Sequence, residues 1–382
     1  MSALRTEMTY ATPPFTASTK SLPPLSGRHR VSPMAWATLR FTKDKVNEAG
    51  ARLTRPLSTI PAGELIDAVD VVANWRSCHT FPLNTFQMTL RRKAHAIHET
   101  AIVAQRIKRL PAIIEKLRRL KHLKLAEFQD IAGCRSVLPS VAHVRQLRTL
   151  YQDSELRHVL QRENDYISTP KRSGYRGIHL IYEYQSDRTS EHNGRLVEIQ
   201  LRSRLQHAWA TAVETATMFS AERFKSSQGD KRWLRFFALM GSVISFRENA
   251  PLVPGTPQTR VELLDELKST SAALEARNKL AAWGEAIEAV TPDKGWYFLL
   301  RLDAAAAQLK IQAFSRRQLR EASNAYSELE KSLMGTDGID AVLVSVDSVK
   351  KLRSAYPNYY FDTKIFLAEL DLATGFQVPK KS

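Results

Sequence analysis

Two stretches of the chain hold most of the residues whose types and spacing could do chemistry together. The first, Asp165 to Arg202, reads DYISTPKRSGYRGIHLIYEY, then a polar gap, then RLVEIQLR. Its first half sets Lys171, Gly174, Tyr175, Arg176 and His179 in a turn that leads to a strand. Its second half alternates, with Val197, Ile199 and Leu201 on one face and Glu198, Gln200 and Arg202 on the other. One face can seat on a core while the other offers a carboxylate, an amide and a guanidinium to a ligand. The second stretch, Arg106 to Lys124, reads RIKRLPAIIEKLRRLKHLK and carries a single acid, Glu115. A solvated helix face is the usual meaning of such a run. Ile113, Ile114 and Leu117 nevertheless give it a buried stripe, and Arg106, Lys108 and Lys116 can converge on one phosphate-bearing ligand.

Two carboxylates complete the set. Asp130 stands at the start of an apolar stretch, Ile131 to Leu138, that reads as a buried strand, and Glu198 stands on the alternating one. Such a pair can share a hard cation. Mg²⁺ is commonly held by one or two carboxylates with substrate phosphates and water. Tyr175 offers a flat face on which a base could stack. A metal bridging oxygens, cations on the phosphates and a carboxylate near the attacking hydroxyl suit phosphoryl or pyrophosphoryl transfer. Taken singly, each residue has an ordinary structural meaning, so the argument rests on their order and clustering. The chain has no GxxxxGK[ST] and no GxGxxG, which takes most of the weight from ordinary P-loop and kinase readings. No Ser or Cys nucleophile stands beside a His–Asp set. His95 and His98 are i,i+3 neighbours without a third metal ligand.

The elements that must position these groups alternate. Helices are expected over 42–53, 64–77 and 85–104, then through the basic run. A strand follows over 131–138, a helix over 141–153, a short strand at 158–160, the two strands of the first stretch, and helices from Arg204 and over 231–246. This pattern predicts an α/β (α+β) fold with a mixed sheet flanked by helices. NAPLVPGTPQ, Asn249 to Gln258, reads as a domain boundary. Beyond it the spacing predicts a second, small α+β domain over 259–382: a helix or bent pair over 261–290, a hairpin over 296–314, a helix over 317–333, a strand over 341–346, and helices over 348–355 and 361–370. Residues 1–32, rich in Pro, Ser and Thr, read as a disordered lead-in.

Composition narrows the partners. The 382 residues hold 56 Lys and Arg against 39 Asp and Glu, a net charge of +17, which points to polyanions such as nucleotides or RNA. Cys78 and Cys134 form no CxxC and lie in apolar contexts, as expected of reduced, buried thiols in a cytoplasmic protein. No apolar run is long enough for a bilayer, and the N-terminus lacks a signal-peptide core.

RIKRLPAIIEKL, DIAGCR, DYISTPKRSGYRGIH and VEIQLRSRLQHAWA resemble, in order and spacing, the synthetase domain of the RelA/SpoT alarmone family over about residues 100 to 220. The resemblance implies a nucleotidyltransferase-like fold over 33–250. It also implies transfer of pyrophosphate from ATP to a ribose 3′-hydroxyl, usually of GDP or GTP, giving (p)ppGpp and AMP. On that basis Asp130 is the Mg²⁺ ligand, and Glu198 is the second acid, close to the metal and the attacking hydroxyl. Arg106 and Arg135 sandwich the adenine, and Lys108 and Lys116 contact the ATP phosphates. Tyr175 stacks on guanine, with Lys171, His179 and Gln200 lining the acceptor side.

Ala112 stands where the family often has Ser, and no adjacent His–Asp pair supplies the hydrolase signature, so neither alarmone hydrolysis nor a Mn²⁺ site is expected. Some small family members resemble toxins that modify the 3′-CCA end of tRNA, which makes tRNA the alternative acceptor. The module after Gln258 reads either as a cap or homo-oligomer contact, or as a built-in inhibitor released by a partner.

Overall fold

The computed structural model describes residues 36–219, 231–285, 288–289, 294–303, 306, 308–333, 339–346, 349–360 and 362–376. The lead-in expected over 1–32 lies outside the described residues. The first helix, α1 (Lys43–Leu53), opens where the Thr42 hydroxyl accepts the Lys45 N–H. After α2 (Ala62–Ser77) the chain enters α3 (Thr80–Ile97). Pro82 lies inside the first turn of α3, where its missing N–H has no intrahelical partner to lose.

The helix expected over 85–104 is corrected here. It ends at Ile97, His98 is extended, and β1 (Ile102–Ile107) begins. The basic run is likewise not one helix: it starts in β1 and continues as α4 (Leu110–Arg119). Pairing on both edges of β1 overrides the local helical pattern of this stretch.

β2 (Ala132–Leu138), α5 (Val141–Gln152), β3 (Val159–Asp165), β4 (Ile178–Glu183), β5 (Leu196–Ser203), α6 (Arg204–Phe219) and α7 (Lys231–Glu248) follow close to their expected places. Then come α8 (Arg260–Leu274), α9 (Ala276–Glu285), β6 (Glu288–Ala289), β7 (Tyr297–Asp303), β8 (Gln308–Phe314), α10 (Leu319–Ser332), β9 (Ile339–Val346), α11 (Val349–Ala355) and α12 (Lys364–Thr374).

The strands form one mixed sheet in the order β3-β4-β5-β2-β1-β9-β7-β8-β6. β2 and β5 are parallel; β1 is antiparallel to β2 on one side and to β9 on the other. The elements expected after Gln258 are thus present, but their strands extend the first sheet across the β1–β9 seam. The proline-rich stretch is a packed corner. Val253 is buried and its N–H donates to Ser242 Oγ at 2.9 Å. Leu263, Leu267 and Phe366 share one apolar core with Phe236, Met240 and Ala212 of α6 and α7. A boundary read from prolines therefore does not divide the packing, and Trp36–Ser382 forms one unit.

The alternation of β5 is realised. Val197, Ile199 and Leu201 are fully buried with Cys134, Leu90 and Leu147 under α3 and α5, so the polar residues face the opposite side. Both cysteines are buried and free of disulfides. Among the described residues no helix is long and apolar enough to cross a membrane.

Candidate active site

Register aligns the polar groups across four strands. Directly opposed residues project from the same face. Arg106 of β1 opposes Gly133 of β2, which opposes Glu198 of β5. One step along, Ala104, Arg135, Gln200 and His179 form the next row through β1, β2, β5 and β4. The two rows bring five expected site residues onto one wall.

The turn before β4 closes that wall. Gly174 N–H donates to Lys171 C=O at 2.8 Å, and Lys171 N–H to Tyr175 C=O at 3.2 Å. Gly174 has φ of 95°, and a Cβ there would lie 2.7 Å from the Phe237 carbonyl of α7. Only glycine lets this turn rest against α7. The Tyr175 ring is thereby set edge-on to Trp209 of α6, at 6.3 Å between centroids.

Glu198 is held at both oxygens. His179 Nδ1 lies 2.8 Å from Oε1, and Gln200 Nε2 donates to Oε2 at 2.6 Å. Burial would raise this carboxyl, but the His179 imidazole outweighs it and holds it below the usual glutamate range. His179 Nε2 meets the Tyr175 hydroxyl at 2.5 Å, and that hydroxyl accepts from Arg202 Nη2 at 3.0 Å. Lys171 Nζ stands 4.1 Å over the Tyr166 ring and 5.3 Å over that of Tyr175.

Asp130 takes Lys108 Nζ on Oδ2 and Lys116 Nζ on Oδ1, each at 2.8 Å. Burial opposes ionisation, yet the two ammonium groups hold its pKa down to about 2. Burial also pulls Lys108 below the ordinary lysine range in spite of Asp130.

Two adjoining cavities result. The larger, about 440 Å³, is lined by Asp130, Glu198, Arg106, Lys116, Lys171, Tyr175, His179 and Gln200. The smaller, about 90 Å³, adds Lys108 and Arg135 and shares Arg106, Asp130, Glu198 and Gln200. Every expected site residue therefore reaches one of the two. His95 and His98 do not. The first bonds the Ala101 carbonyl and the second bonds Thr100. Among the described residues no group of three or more His, Cys, Asp or Glu side chains could hold a metal by itself. A cation at Asp130 and Glu198 would need ligand oxygens as well, which is how Mg²⁺ is commonly bound.

The small cavity departs from the sequence-based expectation. Arg106 and Arg135 are diagonal neighbours as required of a sandwich, but Tyr356 lines the same small cavity as both. Its hydroxyl donates to the Gln105 carbonyl at 2.6 Å, and Arg135 stands 5.6 Å over its ring and donates to the Ala355 carbonyl. A remaining space of about 90 Å³ is well below the roughly 300 Å³ at which ligand pockets begin. Burial and the nearby Arg202 lower the Arg135 guanidinium to about 10. The buried Nε atoms of Arg135 and Arg202 find no acceptor among the described residues. Donors orphaned in this way ask for an anion or water.

Sequence reasoning missed two contributors, Tyr166 and Tyr356. Tyr166 lies in the same motif as Tyr175 and lines the large cavity. Arg202, expected on the polar face of β5, lines both cavities and donates to Tyr175 and Gln200. Nothing local marks Tyr356, which reaches the site from the far end of the chain.

Residues 105–223 match the sequence model of the family described as "Region found in RelA / SpoT proteins". This segment is a RelA/SpoT region. The RelA/SpoT region holds every expected site residue from Arg106 to Gln200. GTP pyrophosphokinase YjbM of Bacillus subtilis is 38% identical over 113 residues, which cover 28% of this chain and 52% of that protein. GTP pyrophosphokinase YwaC of the same organism is 34% identical over 113 residues, with the same coverage. The match thus spans about half the length of these relatives. Among solved structures, small alarmone synthetase 1 from Bacillus subtilis bound to its product pppGpp is 29% identical, with a TM-score of 0.30 over 35% of this chain and 74% of that one. A GTP pyrophosphokinase family protein from Streptococcus pneumoniae is 23% identical, with a TM-score of 0.38 over 46% and 89% of the two chains.

Proposed function

We propose that the protein transfers pyrophosphate from ATP to the ribose 3′-hydroxyl of GDP or GTP. The observation that carries this reading is the ionised Glu198, fixed by His179 and Gln200 on the wall of a cavity it shares with Asp130 and the cations Arg106 and Lys116. In this reading the acceptor enters the large cavity with its base against Tyr175, and Glu198 takes the proton of the 3′-hydroxyl as that oxygen attacks the β-phosphorus of ATP. Lys108 and Lys116 exchange Asp130 for the transferring phosphates, and AMP leaves. Asp130 and Glu198 would hold Mg²⁺, which supplies charge neutralisation on the phosphate oxygens. The relatives' names support a guanine nucleotide as acceptor.

A second reading keeps the chemistry and replaces the nucleotide by the 3′ end of tRNA. The cations around the large cavity favour it: Arg162 and Lys171 line the cavity and are exposed, and the charge of Arg119 is felt at Lys171. Such cations would meet phosphates beyond the terminal nucleotide.

The test incubates the full chain with ATP labelled at the γ-phosphate and with GDP, GTP or bulk tRNA. Label in a guanosine tetra- or pentaphosphate supports the first reading, and label in tRNA the second. No labelled product with any acceptor sinks both, provided the same holds for Tyr356→Ala, which opens the small cavity. Glu198→Gln should lower transfer by about 10²- to 10⁴-fold with the fold intact.

A further inference from the structure

Glu330 lies on α10, far from both cavities in sequence, yet its side chain is 7% exposed and its carboxylate fully engaged. Oε2 pairs with Arg76 Nη1 at 2.5 Å. Oε1 accepts from Arg76 Nη2 at 3.2 Å, from the Tyr326 hydroxyl at 2.7 Å and from the Leu110 backbone N–H at 3.0 Å. Leu110 is the first residue of α4, and its N-cap, Arg109, gives no side-chain cap. A helix leaves its first N–H groups without intrahelical acceptors. Here a carboxylate 220 residues later in the chain supplies one.

The neighbouring residues are held in the same way. Arg76 Nε donates to the Lys108 carbonyl at 2.9 Å. The Arg109 guanidinium pairs with Asp340 of β9, which also accepts from the Tyr359 hydroxyl at 3.3 Å. Each residue of the Lys108–Arg109–Leu110 turn is therefore tied by a polar contact to Arg76, Asp340 or Glu330. That turn joins Arg106 on β1 to Lys116 on α4 and itself carries Lys108.

We propose that Glu330 is a positioning residue for the donor-phosphate side of the site. Through Leu110 and Arg76 it fixes the turn from which Lys108 and Lys116 reach Asp130. The C-terminal elements then have two opposite effects on one region: Tyr356 takes up space in the small cavity beside Arg106 and Arg135, and α10 builds the scaffold that any donor nucleotide would need. This rests on reading Lys108 and Lys116 as phosphate contacts. A chain cut in the proline-rich corner would lose the scaffold together with the plug.

The test uses the full chain with the paired substitution Arg76→Met and Glu330→Met, alongside Glu330→Gln. Replacing a buried ion pair by apolar side chains of similar size commonly leaves a protein folded, so the paired variant should keep its thermal midpoint while its turn loses both holds. Amide exchange at Leu110 should then rise at least about tenfold, and KM for ATP should rise by about the same factor with KM for the acceptor unchanged. Glu330→Gln keeps an oxygen for Leu110. It should unfold at lower temperature, yet hold Leu110 exchange within about threefold of the parent. A folded paired variant with parental Leu110 exchange overturns the proposal. So does one in which both KM values rise together. If the parent transfers pyrophosphate to no acceptor, the functional reading falls, and Leu110 exchange still decides the role of Glu330.

Discussion

His179 Nδ1 stands 2.8 Å from Glu198 Oε1. An ionised carboxylate only accepts, so Nδ1 carries a proton and donates to it, while Nε2 is turned to the Tyr175 hydroxyl, which also accepts from Arg202. In the proposed reading the ring and the hydroxyl of Tyr175 have separable tasks: the ring would face the acceptor base, and the hydroxyl orients the histidine that holds Glu198. Tyr175→Phe should lower kcat about tenfold and leave the acceptor KM within about threefold. Tyr175→Ala should raise the acceptor KM at least tenfold by losing the stacking face. Steady-state kinetics with varied acceptor separates the two, and equal effects from both substitutions would refute the division.

Asp130 sets an acid limit on stability. Its folded pKa of about 2 lies below its ordinary value of 3.8, so the stabilisation is present above pH 4 and is lost as pH falls toward 2. The depression corresponds to at most about 2 kcal/mol, and the net is smaller because burial lowers Lys108 as well. Urea midpoints measured between pH 2 and 6 should fall across that window. In Lys116→Met the Asp130 pKa rises and the fall should shrink by about half. An unchanged profile would show that the lysines do not hold Asp130 in solution.

Tyr356 links the far end of the chain to Arg135. Removing its ring should open the space between Arg106 and Arg135. Tyr356→Ala should tighten binding of a non-hydrolysable ATP analogue by at least about tenfold, or roughly 1.4 kcal/mol, because the parent must first move the segment. Titration calorimetry on the full chain reads this directly. Equal affinities would mean that the segment leaves the gap at little cost.

Gly174→Ala should destabilise the chain by about 2 kcal/mol or more, since φ of 95° and a contact of 2.7 Å to the Phe237 carbonyl both oppose a methyl group. Gly194→Ala is the control: its φ is also positive, but no atom lies within 4 Å of a Cβ there. Thermal denaturation of the two variants should show the larger loss at Gly174. Equal losses would assign the effect to backbone strain alone.

Much of the site was legible because the chain writes it locally. Period-two alternation at Glu198, Gln200 and Arg202 announced a strand with a polar face, and the Lys171–Tyr175 turn announced its glycine. Asp130 preceded a short apolar run, closed by Pro139, that reads as a buried strand. The reading failed at β1, where Ile102 to Ile107 continues a helical pattern, and where the choice is made by β2 and β9 pairing on either side. It failed again at Asn249 to Gln258, because prolines end helices wherever they stand and say nothing about whether the corner packs.

By itself the sequence determined which residues could handle phosphate and a hydroxyl, and on which elements they ride, since periodicity and turn chemistry act over a few residues. Tertiary structure alone decided what those residues touch. Lys108 and Lys116 close on Asp130, Tyr356 bonds the Gln105 carbonyl beside Arg106 and Arg135, and Glu330 completes the start of α4. These contacts join residues 14 to 251 positions apart. The lysine contacts follow from β1 pairing with β2, and those of Tyr356 and Glu330 arise because β9 pairs with β1 and carries the C-terminal elements onto the site, a long-range pairing that leaves no local trace in the sequence.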